Sequence, residues 1–483
     1  MSGASLIEWR EGLDAGDLSS TFLALACMDR IDQLEGRLNA LTCRDRDLTL
    51  AAAQAADLRL RRGERGPMLG IPVVIKDNIN VKGMALTNGS NVMQAYTAAH
   101  NATVVQRLLE AGAVPLAKAN MDEFAMGSSG EYSAHGPTLN PWDYSRVPGG
   151  SSSGAIVAVA AGYAPFALGT DTGGSVRLPA AFCGVSALRP TYGVLSRSGV
   201  TAMASSLDQV GPVAATAKEL ALGLAPMVGR DPLDSTSIDL PGMERLGKPA
   251  PASLKGLRMG IPGEYFAEGI EPGVRTVIET ALDRLASEGL ELVEVSLPHT
   301  RFAIDTYYLL NTSEVSSNLS RFDGVRFGAR EPGDSLHGMI SNTRDRGLGP
   351  EVKRRILLGA FCLSKGYYDA FYLKALKART LIARDFQEAF NHVDILATPV
   401  SPSIAFPIGA KTADPLSMYL ADVFTVTMAL ASLPALAVPA GFSNGMPVGL
   451  QFVGPSLSDV QLLEVGAAFQ DLTDHHLRKP NLD

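Results

Sequence analysis

The sequence predicts an α/β protein built around a sheet, on three observations. Short β-branched apolar runs alternate with helical patterns, as in helix then strand over 101–118 and the βαβ pattern of 257–261, 273–289 and 290–295. Residues 165–170 read as a central strand followed at once by Thr172-Gly173-Gly174-Ser175, where open α/β sheets place their ligands. The 48 Gly and 29 Pro punctuate the chain into many short elements rather than a helical array. At 483 residues the chain exceeds the usual single core. It divides into about two or three units, or forms one large sheet domain with insertions.

Taken in order, residues 17–40 carry Leu23, Leu25, Met28, Ile31, Leu34 and Leu38 at helical spacing, and 48–62 give a second, Ala-rich helix ending before Gly63. Residues 73–75 are a buried strand with Lys76 at its end. Residues 120–129 form a loop or short helix, and Asn140-Pro141-Trp142-Asp143 a turn. The small apolar stretch 155–163 suits a helix packed tightly on a sheet. Residues 190–212 read as loops close to the cleft, 214–250 as a helix and a Pro-rich linker, 302–395 as mainly helical, and 394–398 as a buried strand. Residues 423–458 hold no charged residue, yet Pro434, Pro439, Pro447 and Pro455 interrupt them too often for a membrane span. They read as a helix followed by short buried strands.

A net charge of −8 argues against broad nucleic-acid binding by this chain alone, and the basic run RLRRGER at 59–65 reads as a solvated helix end. Cys27, Cys43, Cys183 and Cys362 are far apart, which excludes a disulfide framework or a zinc site and fits reduced thiols in the cytoplasm. No metal site is expected. The N-terminal segment lacks the apolar core of an export signal. Neither a P-loop nor a G-x-G-x-x-G dinucleotide fingerprint is present. Gly150-Ser151-Ser152-Ser153-Gly154 fits the loose G-x-S-x-G elbow, but that elbow needs a preceding strand, and Val147-Pro148 is too short and Pro-broken to supply one.

Two clusters carry the candidate chemistry: Gly149-Gly150-Ser151-Ser152-Ser153-Gly154 and Thr172-Gly173-Gly174-Ser175. Glycines beside serines let the backbone approach a ligand, and successive N–H groups form an anion site next to a hydroxyl nucleophile. Two Gly/Ser loops joined by a buried segment is the alternative. None of the seven histidines follows a strand with an obvious carboxylate partner. Lys76 is therefore the natural base for Ser175, provided burial lowers its pKa. Taken alone, Lys76 reads more readily as a surface group or the partner of a carboxylate such as Asp77 than as a functional amine.

GIPVVIKDN, PGGSSSG and GTDTGGSVRLPAAFCG, in that order, resemble the amidase signature family. The resemblance covers most of the chain. It implies one domain over 1–483 built on one large mixed twisted sheet flanked by helices on both faces: N-terminal helices to 65, a signature core over 66–215, and the rest of the sheet with the substrate pocket over 216–483. It implies a Ser–Ser–Lys triad of Lys76, Ser151 as the bridge and Ser175 as the nucleophile, with an oxyanion hole from Thr172, Gly173 and Gly174.

NMDEFAMGSS, SSLDQVGP, EVKRRILLG, KGYYDAFY and PVGLQFVG are similar to one branch, the glutaminase subunits of tRNA-dependent amidotransferases. That likeness implies glutamine held by Met126, Tyr307 (or Tyr308), Arg355 and Asp422. A guanidinium suits the α-carboxylate and a carboxylate the α-ammonium, although each residue is also readable as half of a surface salt bridge. It further implies a heterotrimer with the B and C subunits of such an enzyme, tRNA held mainly by the B subunit, no membrane, and no cofactor in this chain. It implies as well that ATP and Mg²⁺ are used by the complex on the partner subunit. A free-standing amidase acting on another small amide is the alternative. Ser153 stands where the family more often has Gly, and His135 where an aromatic is more usual.

Overall fold

The computed structural model describes residues 5–94, 96–266 and 269–482. Among the described residues, eleven strands form one mixed sheet. They are β1 (Leu41–Arg44), β2 (Pro72–Lys76), β3 (Val114–Ala119), β4 (Phe166–Asp171), β5 (Ser186–Arg189), β6 (Gln209–Ala214), β7 (Arg258–Pro262), β8 (Glu291–Val295), β9 (Ile395–Pro399), β10 (Ala435–Ser443) and β11 (Met446–Val453). Their spatial order is β1-β3-β2-β4-β6-β5-β10-β11-β9-β7-β8. The triplets β3-β2-β4 and β9-β7-β8 are parallel. Antiparallel pairs join the two triplets through the middle of the sheet.

Every residue of β2, β3, β4, β5, β6, β9 and β11 is buried. Strands of that kind have both faces covered, which is why they read as continuous apolar runs rather than alternating ones. The cover is helical. Ser153–Ala160, all of it buried, packs on β4 and β2, and Pro272–Ser287 packs on β10. Among the described residues no helix is long and apolar enough to cross a membrane.

After a helix that went unread, Leu6–Ala15 on a Ser5 cap, the two predicted N-terminal helices also start on serine or aspartate caps: Ser19 ahead of Ser20–Leu38, and Asp45 ahead of Arg46–Arg61. The apolar residues chosen from helical spacing in Ser20–Leu38 are buried except Leu25, which is partly so. The 423–458 stretch is the helix Val426–Leu430 followed by β10 and β11, and Pro439 sits where the β10 ladder shifts register.

Three strands went unread: β1, β5 and β6. β1 is only four residues long, directly after a helix that ends at Asn39 in the left-handed region (φ 49). β6 lies inside the stretch read as loops. It carries Gly211 and Pro212, which normally mark turns, yet it pairs with β4 from Phe166↔Ala214 to Asp171↔Gln209. Here Gly211 serves close approach: a Cβ would stand 2.8 Å from the Leu188 carbonyl oxygen. The β5 ladder stops at Val213, so no ladder position on that side calls for the N–H that Pro212 lacks.

Candidate active site

β2 and β4 are parallel neighbours, registered Ile75↔Leu168, so Lys76 and Thr170 emerge at the same edge of the sheet. Lys76 is fully buried. Its Nζ donates to Ser151 Oγ (2.8 Å), Ser152 Oγ (2.9 Å) and Thr170 Oγ1 (2.9 Å). Burial pushes the amine down to about 7, and the charges of Asp122, Asp171 and Asp208 pull back only part of that fall. This removes two readings of the lysine. It is not at the surface, and Asp77 faces Lys118 instead, at 3.8 Å.

The first Gly/Ser cluster holds this amine and is joined to the second through its backbone. Ser152 N–H donates to the Ser175 carbonyl (3.1 Å), and Asp122 N–H to the Ser151 carbonyl (3.2 Å). Ser175 caps the turn between β4 and the helix Arg177–Cys183, 7% exposed, and its hydroxyl makes no hydrogen bond among the described residues. The backbone N–H groups of Thr172, Gly173, Gly174 and Ser175 are likewise without acceptors among the described residues. Gly174 has φ +146, and a Cβ there would collide with Thr425; a Cβ on Gly173 would lie 2.6 Å from the Tyr307 hydroxyl. The turn thus needs glycine for both conformation and space.

Buried carboxylates brace the turn. Asp171 takes Arg177 at both oxygens (3.0 Å each) and Arg189 Nη1 at 3.0 Å, with all three side chains fully buried. Burial would raise the Asp171 carboxyl, but the two guanidiniums outweigh it and hold it at about 2. Asp208 accepts Thr172 Oγ1 (2.7 Å) and the N–H groups of Met203 and Ala204 (2.8 and 3.0 Å), and burial pushes it up to about 6. Asp122 accepts Tyr132 N–H (2.9 Å) and Gly130 N–H (3.0 Å) and is raised to about 6 for the same reason.

A second group borders the first. Tyr307 packs on Gly173, and Thr425, whose N–H donates to the Asp422 carbonyl, packs on Gly174. Asp422 is nearly buried, accepts Ser128 Oγ at 2.5 Å, and is pushed up by burial to about 7, with Arg355 among the charges that act on it. Arg355 stands on the helix Pro350–Cys362 beneath the rings of Tyr308 and Tyr419. Met126 shares a buried apolar cluster with Met203 and with Val352 of the Arg355 helix. Of the two tyrosines, Tyr307 borders the Ser175 turn and Tyr308 covers Arg355. Among the described residues no cluster of His, Cys, Asp and Glu could hold a metal ion.

The family profile described as Amidase matches residues 23–463. The chain belongs to the amidase family. Among its relatives is the A subunit of the glutamyl-tRNA(Gln) amidotransferase of Chloroflexus aggregans, 53% identical over 97% of this chain and 96% of that one. The crystal structure of the same subunit from Thermotoga maritima is 38% identical and superposes with a TM-score of 0.80, over 97% of this amidase and 94% of that chain. The peptide amidase from Stenotrophomonas maltophilia superposes at 0.83 with 31% identity, over 99% of both chains.

This amidase assembles all the residues chosen from its sequence into two touching groups: Lys76, Ser151 and 172–175 in one, Met126, Tyr307, Arg355 and Asp422 in the other. Sequence reasoning missed Thr170, Asp122, Asp208, Ser128 and Glu351. Ser152 was weighed as a nucleophile elbow; it instead accepts from Lys76 and donates to the Thr170 carbonyl (3.0 Å). Thr170 was within reach, since adjacent parallel strands ending in Lys76 and Thr170 bring the two together. Glu351, one helical turn before Arg355, was also within reach; Asp122, Asp208 and Ser128 meet the site across 29 to 294 residues and carry no local pattern.

Proposed function

We propose that this amidase is the glutamine-hydrolysing subunit of a glutamyl-tRNA(Gln) amidotransferase (EC 6.3.5.7), a ligase complex of protein biosynthesis. One observation carries the reading: a fully buried lysine, poised near neutrality and bonded only to hydroxyls, beside an unengaged serine and a set of free backbone N–H groups. The full-length likeness to subunits of that name supports the choice of glutamine, as does the facing pair Asp422 and Arg355.

In the reading, neutral Lys76 accepts the Ser151 proton while Ser151 takes the proton of Ser175. Ser175 Oγ attacks the side-chain amide carbon. The oxyanion is received by N–H groups of Thr172, Gly173, Gly174 and Ser175, each worth about 3–4 kcal/mol in comparable sites. Lys76 returns the proton through Ser151 to the departing nitrogen, and ammonia leaves. Water then attacks the glutamyl ester by the same relay, releasing glutamate. Asp422 holds the α-ammonium, Arg355 the α-carboxylate, and Tyr307 and Met126 line the pocket.

Ammonia passes to the B and C subunits of a cytoplasmic heterotrimer. There glutamyl-tRNA, held mainly by the B subunit, is activated with ATP and Mg²⁺ and amidated. No cofactor is assigned to this chain. Ammonia release from glutamine by the assembled complex tests the assignment, with Ser175→Ala, Ser151→Ala and Lys76→Ala each checked for folding. Loss in all three is expected. Unchanged release by Ser175→Ala would overturn it. A free-standing amidase would work without partners and prefer another amide.

A further inference from the structure

Arg355 is held from one edge only. Its Nε donates to Glu351 Oε1, one helical turn earlier, at 2.8 Å. Its guanidinium carbon lies 5.2 Å from the ring centre of Tyr308 and 5.3 Å from that of Tyr419, and those rings stack on each other at 3.8 Å and 21°. Nη1 and Nη2 make no hydrogen bond among the described residues. Glu351 is fixed twice more: Oε1 accepts the Tyr419 hydroxyl at 2.9 Å, and Oε2 accepts from Arg354 Nη1. Only 3% of the Arg355 side chain and 4% of the Glu351 side chain are exposed.

Tyr419 ends the helix Pro415–Tyr419, and the turn Leu420–Asp422 follows directly. The Tyr419–Glu351 hydrogen bond therefore ties the segment that carries Asp422 to the helix that carries Arg355. We infer that Glu351 and Tyr419 are positioning residues: they aim the Nη edge of Arg355 at the substrate's α-carboxylate and fix its separation from Asp422, so the site selects α-amino acid amides over amides lacking that carboxylate. The inference rests on the glutamine reading of the site. An arginine whose Nε edge is occupied offers a carboxylate only the end-on fork of Nη1 and Nη2. Glu351 also gives the buried guanidinium a counter-charge while the pocket is empty.

The test is steady-state ammonia release by the full chain with its partner subunits, using glutamine and 4-aminobutanamide, which is glutamine without its α-carboxylate. Glu351→Ala and Tyr419→Phe are expected to raise KM for glutamine, by about tenfold for Glu351→Ala, with kcat changed less than about twofold. Neither should lower kcat/KM for 4-aminobutanamide. Glu351→Gln, whose amide oxygen still accepts from Nε and from Tyr419, should recover most of the KM loss. An unchanged glutamine KM in folded Glu351→Ala, or equal losses on both amides, overturns the inference. Tyr419→Phe, which keeps the ring stack, guards against a Glu351 variant that does not fold. No glutamine hydrolysis by the parent complex would instead overturn the glutamine reading itself.

Discussion

At the residue scale the proposed chemistry turns on one amine. Lys76 is a base only when neutral, and burial holds its pKa at about 7. Above that value most molecules carry the free amine. Below it the neutral fraction falls about tenfold per unit, and activity falls with it. Asp422, also raised to about 7, must in the proposed pocket be ionised to pair with the glutamine ammonium and titrates in the same direction. The expected kcat/KM profile for glutamine is therefore flat above about pH 7 and drops at least tenfold per unit below it. A profile still flat at pH 5 would remove Lys76 as the base. How legible was this residue? The run VVIK announced a strand and its terminal lysine, and the two Gly/Ser clusters announced turns. The burial that makes the lysine a base comes from the sheet order, which no local pattern encodes.

At the element scale, the turn between β4 and the helix Arg177–Cys183 is the working part. Its four free N–H groups point usefully only because Asp171 clamps its ends and Asp208 holds Thr172. Asp208→Ala should loosen the turn and lower kcat about tenfold, with little change in KM, as measured by ammonia release. Gly173→Ala drives a methyl against Tyr307 and should lower kcat/KM more than it lowers the melting temperature. Removing the Arg177 guanidinium leaves Asp171 with one counter-ion in a dry interior. Arg177→Met should cost about 3–5 kcal/mol in urea unfolding. The turn itself was readable as strand, glycines and serine. Its braces were not, since Asp208 lies 36 residues from the threonine it holds. β6 was misread because glycine and proline, ordinarily turn residues, serve there as close-packed strand residues.

At the scale of the whole molecule, one sheet gathers the proposed triad at the ends of its inner strands β2 and β4, while helices from the second half of the chain bring Tyr307, Arg355 and Asp422 over it. The price is a set of buried carboxyls: Asp122 and Asp208 raised to about 6, Glu123 and Asp422 to about 7. A carboxyl whose folded pKa exceeds its unfolded value near about 4 stabilises the fold fully below that value. Its contribution is lost as pH rises through the folded pKa. Asp422→Asn, which keeps an acceptor for Ser128, should therefore melt higher than the parent at pH 8, with the gap closing at pH 5. Equal gaps at both pH values would show that Asp422 is not raised. The assembly of one site from both halves of the chain is also why the sequence disclosed the site's members but not the contacts between them.

The central claim is that Ser175 is activated by neutral Lys76 through Ser151. The most direct measurement is glutamine-dependent ammonia release by folded Lys76→Ala in the assembled complex at pH 8. The relay predicts a loss of at least about a thousandfold. Release within about tenfold of the parent would contradict it.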